Sequence, residues 1–177
     1  DVQFATGAYT EKTKAKISHY NPQTRGDINA ITELVEMIEK AERPVFYTGG
    51  GVINSGNKAS QLLRELVKET NFPITSTLMG LGSYPASGKN WLGMLGMHGT
   101  YEANLSMHGC DLLINIGARF DDRITGVLDK FSPHSKKAHI DIDASSINKV
   151  ITVDIPILGD VACVLEDLLN VWKSRGN

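Results

Sequence analysis

Asp111-Leu112-Leu113-Ile114-Asn115-Ile116-Gly117-Ala118-Arg119-Phe120-Asp121-Asp122-Arg123 is the stretch on which the fold turns. Its first half is almost continuously apolar, the composition of a strand covered on both faces at the centre of a parallel sheet. Its second half opens with glycine and then interleaves arginines with aspartates, which marks a turn at the strand's carboxyl end. The same theme recurs on either side. Upstream, Pro44-Val45-Phe46-Tyr47-Thr48 runs into Gly49-Gly50-Gly51 and a helix with Ala59, Leu62, Leu63, Leu66 and Val67 on one face. Pro73-Ile74-Thr75-Ser76-Thr77 follows, and Trp91-Leu92-Gly93-Met94-Leu95 makes a shorter extended piece before a helix through Tyr101, Leu105 and Met107. Downstream, strands are expected at 139–143 and 155–160, and Val161, Val164, Leu165, Leu168, Leu169 and Trp172 line a final helix. Asp27 is a good N-cap for a first helix through Ile28, Ile31, Leu34, Val35 and Ile38 that stops before Pro44. Strands alternating with amphipathic helices predict an α/β fold: one doubly wound, mostly parallel sheet with helices on both faces.

A chain of 177 residues suits one such domain. Residues 1–26 lack periodicity, carry Lys12, Lys14 and Lys16, and read as an interdomain linker; residues 27–177 form the domain. The chain begins without Met, as expected of a piece of a longer protein. A net charge of -2 with 21% charged residues argues against phosphate-backbone binding, so no nucleic-acid partner is expected. No apolar run approaches the roughly 20 residues that cross a bilayer, and the start lacks a leader pattern, so no membrane association and a cytoplasmic setting are expected. Cys110 and Cys163 have no Cys-x-x-Cys partner and read as two buried, reduced thiols.

In a doubly wound sheet, ligands sit outside the carboxyl ends of the strands where strand order reverses, which directs attention to the turns. Gly49, Gly50 and Gly51 offer backbone N–H groups to a phosphate or ribose. The dinucleotide fingerprint is not met, because Asn54 stands where its last glycine belongs and Thr77 is followed by Leu78 and Met79 rather than by a ribose-binding acid. The architecture is Rossmann-like without that fingerprint. Gly96, Met97 and His98 form a second cluster, in which His98 is alternatively a helix-start residue bonded to backbone and Met97 core filler. Gly117, Ala118, Arg119, Asp121, Asp122 and Arg123 form a third; an arginine here can fork onto a carboxylate or phosphate, while the bland alternative is a solvated loop. Asp141, Ile142 and Asp143 end a strand with carboxylates suited to ribose hydroxyls, or with Asp143 capping a turn. Asp160 before Val161 either N-caps the last helix or meets a cofactor. No metal-ligand spacing and no nucleophile elbow occurs, so no metal site and no catalytic residue is expected in this stretch. These residues describe a polar, glycine-rich rim for an extended nucleotide and do not by themselves define a reaction.

Leu95-Gly96-Met97-His98-Gly99 and Gly117-Ala118-Arg119-Phe120-Asp121-Asp122-Arg123-Ile124-Thr125-Gly126, in this order after Tyr47-Thr48-Gly49-Gly50-Gly51, closely resemble the middle domain of the acetohydroxyacid (acetolactate) synthase family. The likeness runs from about residue 28 to 170. It implies an enzyme that joins two pyruvates, or pyruvate and 2-oxobutyrate, in branched-chain amino acid synthesis. It also implies FAD in this domain, and thiamine diphosphate with Mg²⁺ held by the other domains of the catalytic subunit. Those domains, a homo-oligomeric partner and a small regulatory subunit are the implied partners. The chain has no Gly-Asp-Gly motif with a following Asn-Asn, so the resemblance implies a central domain that does not turn over substrate alone. The alternative is a nucleotide-binding or subunit-docking module of another thiamine-diphosphate enzyme, such as a pyruvate oxidase.

By the same resemblance, Gly49, Gly50, Gly51 and Asn54 line the FAD ribityl and diphosphate region. Thr77, Leu78, Met79, Gly96, Met97 and His98 lie along the flavin. Gly117, Ala118, Arg119, Asp121 and Arg123 flank the diphosphate and the flavin, and Asp141, Ile142, Asp160 and Val161 surround the adenosine. The family more often has Glu at the place of Asp141. Arg123 is implied to meet the carboxylate of the second 2-oxo acid, with Asp122 orienting its guanidinium and Met97 touching the side chain.

Overall fold

The computed structural model describes residues 2–8 and 21–176; half of the stretch read as a linker, including its three lysines, lies outside the described residues. The elements are α1 (Ile28–Lys40), β1 (Pro44–Thr48), α2 (Gly50–Asn54), α3 (Asn57–Thr70), β2 (Ile74–Ser76), β3 (Trp91–Met94), α4 (Tyr101–Gly109), β4 (Leu112–Ile116), α5 (Asp122–Thr125), β5 (Lys136–Asp141), β6 (Ile155–Leu158) and α6 (Val161–Ser174). The six strands form one sheet in the order β3-β2-β1-β4-β5-β6, and every pairing is parallel. The chain therefore builds outward from β1 to β3, returns to the other side of β1, and builds outward again from β4. The reversal leaves a crevice between the carboxyl ends of β1 and β4.

Strand periodicity divides the core. Phe46, Leu112, Ile114, Ile116, Ala138 and Ile140 pack with the apolar stripes of α1, α3 and α6. Val45, Tyr47 and Leu113 face the other way, into a smaller core with Leu95, Phe120, Phe131 and the α4 residues Ala103 and Met107. Every residue of β1 and β4 is buried, as the apolar runs predict. Asp27 caps α1 by accepting from Asn29 N at 3.0 Å. Before α1, Thr24 O accepts from Asp160 N at 2.7 Å, and the Arg25 guanidinium pairs with both carboxylate oxygens of Asp167 on α6.

Local differences from the sequence reading have local causes. β5 runs from Lys136 to Asp141 rather than over 139–143, because the Asp143 carboxylate accepts from Ser145 N and Ser145 Oγ and folds the chain into a turn. Gly50 and Gly51 lie inside the short helix α2 rather than in a loop. The charged run after β4 contains a one-turn helix, α5, capped by Asp121. Cys110 is buried, but Cys163 is only half-buried.

The two halves of the sheet meet at backbone level. Gly51 N donates to Gly117 O at 2.9 Å, and Gly117 has φ +67. A Cβ on Gly51 would stand 2.7 Å from Gly117 Cα, and one on Gly49 would stand 2.3 Å from Gly117 O. A Cβ on Gly50 meets only Met79, its Cβ at 3.2 Å and its O at 3.6 Å, in an exposed turn that needs to give by only a few tenths of an ångström. Gly51→Ala is therefore expected to cost about 3 kcal/mol or more through overpacking against rigid backbone, whereas Gly50→Ala should be close to neutral. Chemical denaturation of the two variants checks the contrast.

Candidate functional site

A cavity of about 650 Å³ opens at the β1/β4 crevice, within the size range of small-molecule and cofactor pockets. Six segments wall it: the start of α2, the turn after β2, the turn from β3 toward α4, and the turns after β4, β5 and β6.

On the α2 side, Gly50, Gly51, Asn54 and Ser55 line the cavity, and Gly49 does not. Gly49 N donates to Ile116 O at 3.0 Å and Gly51 N to Gly117 O, so two of the three N–H groups expected to face a phosphate serve the sheet instead. Gly49 is buried against Gly117 and Ala118, which removes it from the wall. Thr77, Leu78 and Met79 line the next wall. Thr77 Oγ1 accepts from Gly80 N at 3.1 Å and caps their tight turn, leaving Leu78 and Met79 exposed.

Met94, Leu95, Met97 and His98 contribute from the β3 turn, whereas Gly96 is set back from the cavity. Gly96 has φ +93, and a Cβ there would meet Arg123 O at 2.7 Å and Ile124 Cδ1 at 2.6 Å. The turn is held by Asn104 of α4, which accepts from Gly96 N at 2.9 Å and donates to Gly96 O at 3.1 Å. Met97 N donates to Arg123 O at 3.0 Å, tying this turn to α5.

The turn after β4 is the most constrained wall. Buried Asn115 accepts from Ala118 N at 3.0 Å and donates to Ala118 O at 2.8 Å, and buried His139 places Nε2 2.8 Å from the same carbonyl. Nε2 therefore carries the proton in that bond. Phe120 has φ +54, a left-handed conformation that costs a bulky residue about 1–3 kcal/mol. The strain drives its ring inward, 5.7 Å from Tyr47, 5.8 Å from Phe131 and 5.1 Å from His139. Its neighbours Arg119 and Asp121 consequently line the cavity, 3.3 Å apart. Arg123 N donates to the Asp121 carboxylate, which, with the nearby Arg119 and Arg123 cations, holds that carboxyl below its ordinary range. Arg123 lines the cavity with an exposed side chain; Asp122 does not line it, and its carboxylate stands 3.8 Å from Arg123 Nε, beyond hydrogen-bond length.

At the far end lie Asp141, Ile142, Asp143, Ser146, Asp160 and Val161. Asp141 is buried, accepts from Asp143 N at 2.9 Å, and stands 3.5 Å from His139 Nε2. Bonds from the Ser145 hydroxyl and backbone lower the Asp143 carboxyl. Asp160 caps α6 by accepting from Ala162 N and Cys163 N, and its carboxylate also accepts from Ser55 Oγ at 2.8 Å. That pair joins α2 to α6 across the crevice.

Gly117 and Ala118 complete the floor, with Tyr47 and Ile124 beside them. Sequence reasoning missed Tyr47, Ser55, Met94, Leu95, Ile124 and Ser146 as lining residues, and Asn104, Asn115 and His139 as the groups that hold the walls. Asn115 carried a signal, being an amide inside an otherwise apolar central strand; the others did not stand out from their surroundings. Among the described residues, no group of three or more His, Cys, Asp or Glu could hold a metal ion.

Residues 31–168 match the family model described as thiamine pyrophosphate enzyme, central domain. The chain is 45% identical over 167 residues to the acetolactate synthase isozyme 3 large subunit of Escherichia coli K12, covering 94% of this chain and 29% of that protein. It is 46% identical over 159 residues to the acetolactate synthase large subunit of Buchnera aphidicola subsp. Acyrthosiphon pisum, covering 90% and 28%. It is 45% identical over 157 residues to the acetolactate synthase of Mycobacterium avium, covering 89% and 25%. The chain thus spans less than a third of the length of these curated relatives.

Asn115→Leu keeps the branched side-chain shape but strands the buried Ala118 N–H. The expected loss is about 1–3 kcal/mol of stability, with faster amide exchange in the turn after β4 than in α1; exchange mass spectrometry with thermal unfolding checks both.

Proposed function

The chain belongs to the thiamine pyrophosphate enzyme central-domain family, and from that premise we propose that it is the FAD-binding central domain of an acetolactate synthase. The parent enzyme would condense two pyruvates, or pyruvate with 2-oxobutyrate, in branched-chain amino acid biosynthesis. One observation carries the FAD assignment: the cavity is chemically graded along its length. Leu78, Met79, Met94, Leu95, Met97 and Ile124 make one region apolar; Arg119 and Arg123 bring two cations; Asp141, Asp143, Ser146 and Asp160 make the remaining region rich in acceptors. A planar heterocycle, a diphosphate and a ribose–adenine unit have those requirements in that order.

In this reading Asp141 accepts from ribose hydroxyls, and Ile142 and Val161 cover the base. Gly50, the one residue of the triple glycine whose Cα faces neither Gly117 nor Ala118, lets the ligand approach beside Arg119. Thr77, Leu78, Met79, Met97 and His98 flank the ring system. FAD supplies a rigid aromatic surface there and no net redox change. Thiamine diphosphate and Mg²⁺ would be held by other domains of the catalytic subunit, which are the proposed partners together with a second copy and a small regulatory subunit. Among the described residues no helix is long and apolar enough to cross a membrane, and a cytoplasmic location is proposed. The domain boundary at residues 26 and 27 belongs to the same reading.

Arg123 is the proposed substrate-binding residue. Its guanidinium is exposed at the cavity mouth with only a 3.8 Å ion pair to Asp122, and its backbone is fixed by Asp121 and Met97, so a lightly paired cationic fork sits on a held stem. Such a fork suits the carboxylate of a 2-oxo acid.

The isolated chain should form no acetolactate even with thiamine diphosphate, Mg²⁺ and FAD supplied, and should bind FAD with a dissociation constant above about 1 µM, since a pocket completed by neighbouring domains loses contacts without them. Flavin fluorescence titration of the chain and of the full-length protein tests the FAD assignment; no binding by the full-length protein overturns it. In the full-length protein, Arg123→Lys should keep the flavin and lower the carboligation rate at dilute acceptor by about one to two decades, equivalent to about 1.5–3 kcal/mol. Unchanged acceptor kinetics with lost flavin would make Arg123 a cofactor contact only.

A further inference from the structure

Thr75, Tyr47, Asn115 and His139 are direct register partners across β2, β1, β4 and β5, and all four are buried in the sheet. Three of them spend a polar group on neighbouring backbone. Thr75 Oγ1 donates to Gly93 O of β3 at 2.8 Å, Asn115 commits both ends of its amide to Ala118, and His139 Nε2 donates to Ala118 O. The Tyr47 hydroxyl has no partner among the described residues. An unpaired buried hydroxyl costs about 1–3 kcal/mol, so one that persists points to a partner outside the chain. Ser76 Oγ, His139 Nδ1 and Trp172 Nε1 are also unpartnered, but none of those residues lines the cavity. Tyr47 does.

We propose that the Tyr47 hydroxyl donates a hydrogen bond to the heterocyclic end of the ligand in this cavity, a ring carbonyl oxygen or ring nitrogen of the flavin; the proposal rests on the FAD reading above. The surroundings select that end. Leu95, Ala118 and Ile124 belong to the same apolar cluster as Tyr47 and line the cavity with it, and they suit a flat aromatic ring. Apolar walls offer that ring no compensation for the water its edge atoms lose, and one donor among them supplies it. Burial pushes the phenol well above its ordinary range, so it keeps the proton it donates. Phe120, pressed inward beside the Tyr47 ring, fixes the direction of the hydroxyl.

The test is Tyr47→Phe in the full-length protein, which removes one oxygen and leaves the ring against Phe120. Thermal unfolding without FAD should be unchanged or shifted upward, since an unpaired group has been deleted. The dissociation constant for FAD, per folded molecule, should rise about five- to tenfold, the range of one neutral hydrogen bond, and the visible absorption bands of bound flavin should shift. Wild-type FAD affinity and spectrum in Tyr47→Phe would overturn the proposal, whether stability rises or falls, and would assign the hydroxyl no ligand role. Failure of the unaltered full-length protein to bind FAD would overturn the FAD reading, and this proposal with it.

Discussion

The backbone contact between Gly51 and Gly117 is the constraint on which the rest of the structure depends. It joins the first turn of the first half-sheet to the first turn of the second, across the boundary where strand order reverses. At 2.7 Å from a built Cβ to the opposing Cα, neither residue can carry a side chain without parting β1 from β4. The two turns set the width and floor of the cavity, so the glycines act on the site chiefly through the sheet. The sequence reading assigned them to phosphate approach; Gly50 and Gly51 line the cavity, while Gly49 and Gly51 also carry the backbone contact between the half-sheets.

Above that contact, the turn after β4 is held by more groups than its length requires. Asn115 and His139 both grip Ala118, Asp121 caps α5, and Arg123 O anchors the Gly96–Met97 turn. This surplus lets Phe120 occupy a left-handed conformation. With its ring turned into the core, the residues on either side face the cavity, so one strained residue presents Arg119 and Asp121 together. The same inward ring packs against Tyr47 and His139 of the polar row on the sheet.

The fold was legible in the sequence because its signals are local and repeated. The apolar runs of β1 and β4 and the stripes of α1, α3 and α6 each report burial without reference to any other element. Boundaries went astray where side chains compete with the backbone, as when Asp143 turns the chain two residues after Asp141. Most of the cavity lining was legible for a different reason: in this architecture, turns after strands converge, so quoting the turns amounts to quoting the walls. Gly49, Gly96 and Asp122 do not line the cavity, because adjacency in a motif does not fix which way a residue faces. Tyr47, Ser55 and Asn104 were missed because their roles depend on partners distant in the chain, such as the bond from Ser55 to Asp160.

The charge arrangement limits what the cavity can hold. Four carboxylates line it against two arginines, so the wall as a whole repels an anion unless the arginines lie near its charge. Three of the carboxylates are spent: Asp121 on the α5 cap, Asp143 on its serine turn and Asp160 on α6 and Ser55. Donors already surround that negative charge, which softens its field toward the crevice. Asp141 has fewer such bonds, accepting from Asp143 N with His139 nearby. It is therefore the carboxylate with most capacity left for a hydroxyl donor. Arg119 and Arg123 are exposed and lightly paired, so their charge remains available to an anion. An extended ligand with hydroxyls at one end and phosphate charge toward its middle can satisfy both sets at once, whereas a small free anion gains only the arginines and still meets the acids.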